Sequence, residues 1–447
     1  MNKFITNLDT WSNETIKKSF LGNLISFLIN KIRFLQLSAQ SLIFSIVVLF
    51  TSLSLPQFAN DRFGKGIIIL LCFLVFLLNL FSTKSLSIQF NALDFLILLF
   101  LLTAIVSTFS SYFFKESVVG LLKYITFFSF YLIIKTSLLN SSKNNFLNLW
   151  SFLFFCAVVT STIGIYQYTI GVEPLATWED PTYENIHTRV YSTLGNPNLL
   201  AGYLLAILPV GLVLPFAMKA NTFKKILFLI GNILILLCLI FTGSRGAYLG
   251  LITGGLFSLL IFIFYLINYK DPINRISTTI IFSIGIIALI LTLTFMFPVL
   301  GERLSTIFTL REHSSNSYRI NVWLACLQML KDNWLIGIGP GNNTFRLAYG
   351  LYMKSGFDAL AAYNIFLEFA VEVGIIGSFI FLIIFLVSFL KLHYLFWQKN
   401  SILALGIFIS LICLFTQGMV DTVYFRPQVF IPFWFLLASI DRIESED

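Results

Sequence analysis

Residues 311–377 read REHSSNSYRINVWLACLQMLKDNWLIGIGPGNNTFRLAYGLYMKSGFDALAAYNIFLEFAVEVGIIG. This is the longest run in the chain that cannot dissolve in lipid, and it separates two sets of long apolar segments. Chemistry is expected in the polar run, with the apolar segments as its scaffold. Hydrophobic residues make up 57% of the 447 positions and charged residues 11%, against about 25% charged in ordinary soluble domains. A hydrocarbon layer of about 30 Å takes about 20 apolar residues per helical crossing. Unbroken apolar runs argue for helices, since the strands of a barrel would alternate apolar and polar residues.

The expected fold is therefore all-α: a polytopic helical membrane protein of about twelve transmembrane helices, eleven to thirteen. Apolar runs fall at 41–57, 64–83, 92–112, 118–138, 147–171 and 197–218, then at 225–243, 246–268, 276–299, 364–390, 401–420 and 425–440. Residues 1–40 read as a cytoplasmic or interfacial segment, 41–190 as an N-terminal bundle and 191–440 as a second membrane domain. That second domain includes a large extracytoplasmic loop, 300–363, and is followed by a cytoplasmic tail, 441–447. Lysines and arginines gather in alternate breaks, among them Lys84, Lys135, Lys143, Lys219, Lys224, Lys225, Lys270, Arg275, Lys391 and Lys399. The positive-inside rule places those breaks in the cytoplasm, with both termini inside and the polar run outside. The expected location is the inner (plasma) membrane.

The net charge of +8 is scattered over segment ends and forms no basic face, so lipid is the expected partner and nucleic acid is not. The five cysteines are widely spaced without CxxC, and His187, His313 and His393 fit no metal or triad spacing. No metal and no cofactor are expected.

Several polar pieces carry candidate chemistry. RVYSTLGNPN, 189–198, holds Arg189, Asn196 and Asn198. Pro197 and either asparagine also suit an ordinary helix start. TGSRG, 242–246, places Ser244 and Arg245 in a break so short that the arginine sits at the membrane edge. A guanidinium beside glycine-exposed amides makes an anion cradle, and snorkelling is the alternative.

In Ser317–Lys331, Ile320, Trp323, Leu324, Leu327 and Leu330 fall at helical spacing, predicting an amphipathic helix on the outer surface with Asn321, Gln328 and Lys331 off its stripe. Arg319 is expected in the first turn, where the dipole disfavours a cation unless it meets an anion. The alternative is a salt bridge to Glu312 or Asp332. Residues 337–342, GIGPGN, lack the Lys-Ser/Thr of a phosphate loop and read as a tight turn. Asn364 precedes Glu368 and Glu372, four apart on one helix face, with Lys123 or Arg245 as possible partners.

These pieces resemble the O-antigen ligase and polymerase superfamily of bacterial membrane proteins. The resemblance is carried by LGNPNLLAGYL (194–204), FTGSRGAYLGL (241–251), YRINVWLACLQMLKDNWLIGIGPGN (318–342) and NIFLEFAVEVGIIG (364–377). GMVDTVYFRPQV (418–429) and VEVGIIG (371–377) resemble a branch named for inorganic-carbon (bicarbonate) transport. The resemblance implies an outer-face site in which arginines, here Arg245 and Arg319, bind the diphosphate of a polyprenyl-linked glycan. The family's proposed base is a histidine, and Tyr363 stands at that position. A phenol with a pKa of about 10 is a poor base at neutral pH. The implied substrate is thus an anion, either bicarbonate or a polyprenyl diphosphate glycan, and a non-catalytic accessory role fits the same residues. The missing histidine favours the inorganic-carbon branch.

Overall fold

A computed structural model describes residues 90–139, 141–173, 189–267, 315–423 and 426–445. The expected spans 41–57, 64–83 and 276–299 lie outside the described residues, as do the segment 1–40, His187, Arg311, Glu312 and His313. What is described is helical: α1 (Ala92–Ser110), α2 (Phe114–Leu139), α3 (Lys143–Ile170), α4 (Pro197–Ala217), α5 (Thr222–Phe241), α6 (Arg245–Ile267), α7 (Ser315–Asp332), α8 (Asn342–Tyr349), α9 (Ile365–Trp397), α10 (Ile402–Gly418) and α11 (Pro427–Glu444). Among the described residues, α1 to α6 and α9 are long and apolar enough to cross a membrane, and α10 is a shorter apolar helix. The chain is a multi-pass membrane protein.

Local chemistry sets where these helices begin. Asn91 and Asp94 form a capping box at α1. Ser142, Asn196, Asn221, Asn364 and Ser401 each accept a first-turn N–H at the start of α3, α4, α5, α9 and α10, which removes an otherwise unpaired donor from an apolar setting. Pro197 and Pro427 open α4 and α11, where no N–H is needed.

The centre of the bundle is α4, packed against α3, α5, α6, α10 and α11. Gly246, Gly250 and Gly254 repeat every four residues along α6 and face Val420, Gln417 and Cys413. A Cβ at Gly250 would stand 2.7 Å from the Cys413 carbonyl oxygen. Small residues let helix backbones approach where lipid supplies no hydrophobic driving force.

Charges are sorted between the two ends of the bundle. At one end, Lys135 pairs with Asp94 and, at 2.9 Å, with Asp441. Lys391 reaches Asp441 at 3.4 Å and Glu444 at 2.9 Å, and Asn91 donates to Asp441. This network ties the start of α1 to the ends of α2, α9 and α11. The α2–α3, α4–α5 and α9–α10 turns, with Lys143, Lys219, Lys224, Lys225 and Lys399, follow from the same antiparallel order. The other end holds the candidate site.

Three elements depart from expectation. The segment expected at 364–390 extends to Trp397 and is broken at Gly374, whose φ of 79° and ψ of 169° are not helical. The short helix α8 was not anticipated. The glycine run 337–341 is more than a tight turn: it is wedged into the α9 break. Ile338 N–H donates to the Val371 carbonyl at 2.9 Å and Gly339 N–H to that of Glu372 at 3.0 Å, while Ile375 N–H donates to the Trp334 carbonyl at 2.9 Å. The break frees these groups and the loop satisfies them. Ser107 adds a 2.6 Å bond to the Glu372 carbonyl, and Ser111 one of 2.6 Å to that of Ile338. A Cβ on Gly120 of α2 would stand 2.0 Å from the Pro340 carbonyl oxygen, so the loop lies directly on α2.

Candidate functional site

The site is assembled from five chain segments at the end of the bundle away from the buried lysine network. Arg189 donates through Nε to the Thr242 carbonyl at 2.8 Å and through Nη2 to Asn198 Oδ1 at 2.5 Å. It thereby clamps the 242–246 turn to the start of α4. Gly243 has φ +58° and lies against the Arg189 side chain. Ser244 is buried, and Arg245 opens α6. Gly246, one residue on, faces Val420 and Gln417, so Arg245 begins its helix beside the segment that bears Asp421.

Asp421 is the residue sequence reasoning missed. It is buried, accepts the Thr422 N–H at 2.8 Å, and lies near Asn198 in the field of Arg319 and Arg189. Burial raises its carboxyl above the usual 3.8, with the two arginines, the Thr422 N–H and Asn198 pulling the other way. Gln417, one turn earlier, donates to the Asn198 carbonyl at 3.2 Å. Asn364 Nδ2 donates to the Met419 carbonyl at 2.9 Å while its Oδ1 caps α9. That bond brings the start of α9 to the end of α10, and so Tyr363 towards Asp421.

Tyr363 has φ +52°, a left-handed conformation uncommon for an aromatic residue. Its neighbours impose it. Asn364 is committed to its cap, and the Ala362 N–H is held by the Glu368 carboxylate. The ring meets Tyr318 edge-on at 5.8 Å. The Tyr363 hydroxyl lies near that of Tyr318, which donates to the Asp358 carbonyl. Burial first, then Tyr318 and Asp421, push the Tyr363 phenol well above 10, with Arg319 opposing.

Arg319 is the fifth residue of α7, so the expected first-turn placement is corrected: the helix starts at Ser315, one turn before Arg319. The alternative partner Asp332 sits at the far end of α7 and accepts the Tyr352 hydroxyl at 2.8 Å. The field of Arg319 reaches Asp421 and Tyr363 instead.

Of the other expected residues, Asn196 is spent on its cap, accepting from Asn198 N–H at 2.8 Å and Leu199 N–H at 3.3 Å. Glu368 and Glu372 are fully buried on α9. Glu372 accepts from the Tyr124 hydroxyl. Lys123, one of the two partners considered for them, is the nearby cation and reaches Asn342 at 3.3 Å. This pair supports the loop from behind. The described cysteines, Cys156, Cys238, Cys326 and Cys413, are buried and are not joined in disulfides. Among the described residues, no group of His, Cys, Asp and Glu is arranged to hold a metal ion.

Asp421 had one signal. It is a lone acid between two apolar runs, inside the 418–429 segment that was read only as part of a resemblance.

Residues 230–382 match the family model described as O-antigen ligase, about a third of the chain, covering most of α5 and all of α6 to α8 with the first half of α9. The match supports an O-antigen ligase-related membrane protein and includes Arg245, Arg319, Tyr363 and Glu368; it does not distinguish an inorganic-carbon branch. No curated protein matches the chain.

Proposed function

We propose that the protein is a glycosyltransferase-like membrane protein that takes a glycan from a polyprenyl diphosphate. The observation carrying this reading is the gathering at one end of the bundle, where Arg245 opens α6, of Arg189 bonded to Asn198 and the Thr242 carbonyl, of Asn364 bonded to the Met419 carbonyl two residues before Asp421, and of Arg319 within electrostatic range of Asp421 and Tyr363. Guanidinium groups donate paired hydrogen bonds to phosphate oxygens. In this reading they hold the diphosphate with Ser244, Asn198 and Asn364 near by, and they stabilise the charge that grows on it as the bond to the sugar breaks. The acceptor hydroxyl oxygen bonds to the anomeric carbon, the carbon–oxygen bond to the phosphate breaks with its electron pair on the leaving diphosphate, and the hydroxyl proton passes to Asp421. Tyr363 keeps its own proton at neutral pH and positions Arg319 and Asp421.

Inorganic-carbon transport remains a second reading, favoured by the tyrosine at the histidine position and by an arginine site that suits a bicarbonate ion. In both readings the lysine-rich end is cytoplasmic and the site faces outward from the inner membrane.

Purified protein in liposomes separates the two readings. Consumption of a polyprenyl diphosphate glycan, lost in Arg189→Ala and Arg319→Ala, is expected. Bicarbonate flux without glycan consumption would replace the first reading by the second, and wild-type behaviour of both arginine variants would end the site assignment. A reporter fused near Asn342 that behaves as cytoplasmic would overturn the orientation.

A further inference from the structure

Helix α7 has two apolar faces. Val322, Ala325, Cys326 and Met329 are buried and pack with Ile338, Phe345, Tyr349 and Val371 in a small core under the loop. The second face carries part of the stripe expected from the sequence and points away from the protein, while two other residues expected on that stripe depart from it, Leu330 packing against the small core and Trp323 being half-buried. Ile320, Leu324 and Leu327 are 37%, 56% and 53% exposed. Their spacing of four and three residues puts them on one line, which Lys331 continues. Lys331 was expected off this stripe; its register places it at the stripe's end.

The level of this face relative to the bilayer follows from the α9 break. From Ile375 to Trp397 the second part of α9 has a length of about 34 Å at 1.5 Å per residue, which fits a hydrocarbon core of about 30 Å. Ile375 N–H is bonded to the Trp334 carbonyl, so Trp334 lies where that crossing begins. Trp334, Leu335 and Ile336 are exposed, as are Phe109, Tyr112 and Phe114 at the α1–α2 turn. Ser111 of the same turn is bonded to the Ile338 carbonyl at 2.6 Å. Exposed aromatic residues at the ends of spans mark the membrane interface. Lys331, Asp332 and Asn333 link the α7 stripe to this belt, and Lys331 has a stem that can follow lipid while its ammonium reaches water.

We infer that the Ile320–Leu324–Leu327 face of α7, with Trp334–Ile336, is seated in the hydrocarbon edge of the leaflet on the site's side, making α7 a membrane-embedded sill to the arginine cluster. Its occupant is bilayer lipid. The stripe starts at Ile320, next to Arg319, so one helix offers an apolar track and a cation at its head. Resting on the proposed function, the isoprenoid chain of the donor follows that track laterally, and its diphosphate reaches Arg319 without leaving the membrane.

Nitroxide labels on Leu324→Cys, Leu327→Cys and Ser355→Cys, the last in an exposed polar turn away from α7, in protein reconstituted in nanodiscs, test the seat, with unaltered protein as the background for native cysteines. Labels at 324 and 327 are expected to collide with dissolved oxygen and to lose collisions with a water-soluble nickel chelate, and the label at 355 to show the reverse. Nickel collisions at 324 and 327 equal to those at 355 would overturn the inference, and so would shielding from both agents, which would mean a second copy or another protein covers the stripe. Because this readout needs no substrate, a lipid pattern in protein that turns over no glycan would sink the functional reading and leave the sill standing.

Discussion

Gly374→Ala tests whether the loop and the bundle are one structure. Gly374 sits at φ 79° and ψ 169°, a region that side chains avoid at a cost of about 1–3 kcal/mol. A Cβ there would stand 2.1 Å from the Leu335 carbonyl oxygen, a backbone atom that moves only if the loop moves. Moving the loop endangers the bonds from Ile338, Gly339 and Ile375 across the break, each worth about 0.5–1.5 kcal/mol. Together these predict a loss of about 3–7 kcal/mol. Reversible unfolding in mixed micelles measures it, with Gly255→Ala as the control. Gly255 is an exposed helical position with open space around it, and alanine there should help by up to about 1 kcal/mol. Hydrogen exchange at the Ile338 and Gly339 amides should rise in Gly374→Ala. Stability within about 1 kcal/mol of the parent, with those amides still protected, would refute the interlocked loop.

Three further outcomes follow from the same geometry. If Asp421 takes the acceptor's proton, turnover falls as pH drops through its pKa, so the acid limb should lie above the ordinary carboxylate value of 3.8; a pH–rate profile should lose that limb in Asp421→Asn and keep it in Tyr363→Phe. Lys135→Ala leaves Asp94 without its cation and Asp441 with only Lys391; unfolding should show a loss of about 3–5 kcal/mol, partly recovered by Lys135→Met with Asp94→Leu. Cys326→Ala removes a buried sulfur from the small core beneath the loop and should cost about 1 kcal/mol with donor binding and turnover unchanged.

Much of the scaffold was legible because lipid imposes a simple rule on the chain. The expected runs 92–112, 147–171 and 197–218 correspond to α1, α3 and α4 within a few residues, since apolar length and a capping Asn or Ser bound each helix. The α9 break was harder to read. VEVGIIG is apolar enough to pass as continuous helix, and the reason Gly374 is not helical is a loop whose own glycines only show their purpose once they lie against it. The stripe on α7 was visible from its spacing, whereas the buried face was hidden because alanine and cysteine carry little hydrophobic signal. Arg189, Arg245 and Arg319 stood out as charges at segment ends. Asp421 did not, since its meaning depends on Asn364 reaching Met419 and on arginines more than a hundred residues away in the chain.

The serine contacts beneath the glycine loop bear on how the protein is made. Ser111 must wait for Ile338, 227 residues later, and Ser107 for Glu372, 265 residues later. At about 5–20 residues per second that delay lasts about 10–50 s. During it, Ser107 and Ser111 lack the carbonyls they bond in the finished protein, although Ser111 already meets Ser117 and the Phe113 N–H. Biogenesis would then be sensitive to alanine at Ser107, Ser111 and Ser117, even where the finished protein tolerates the change.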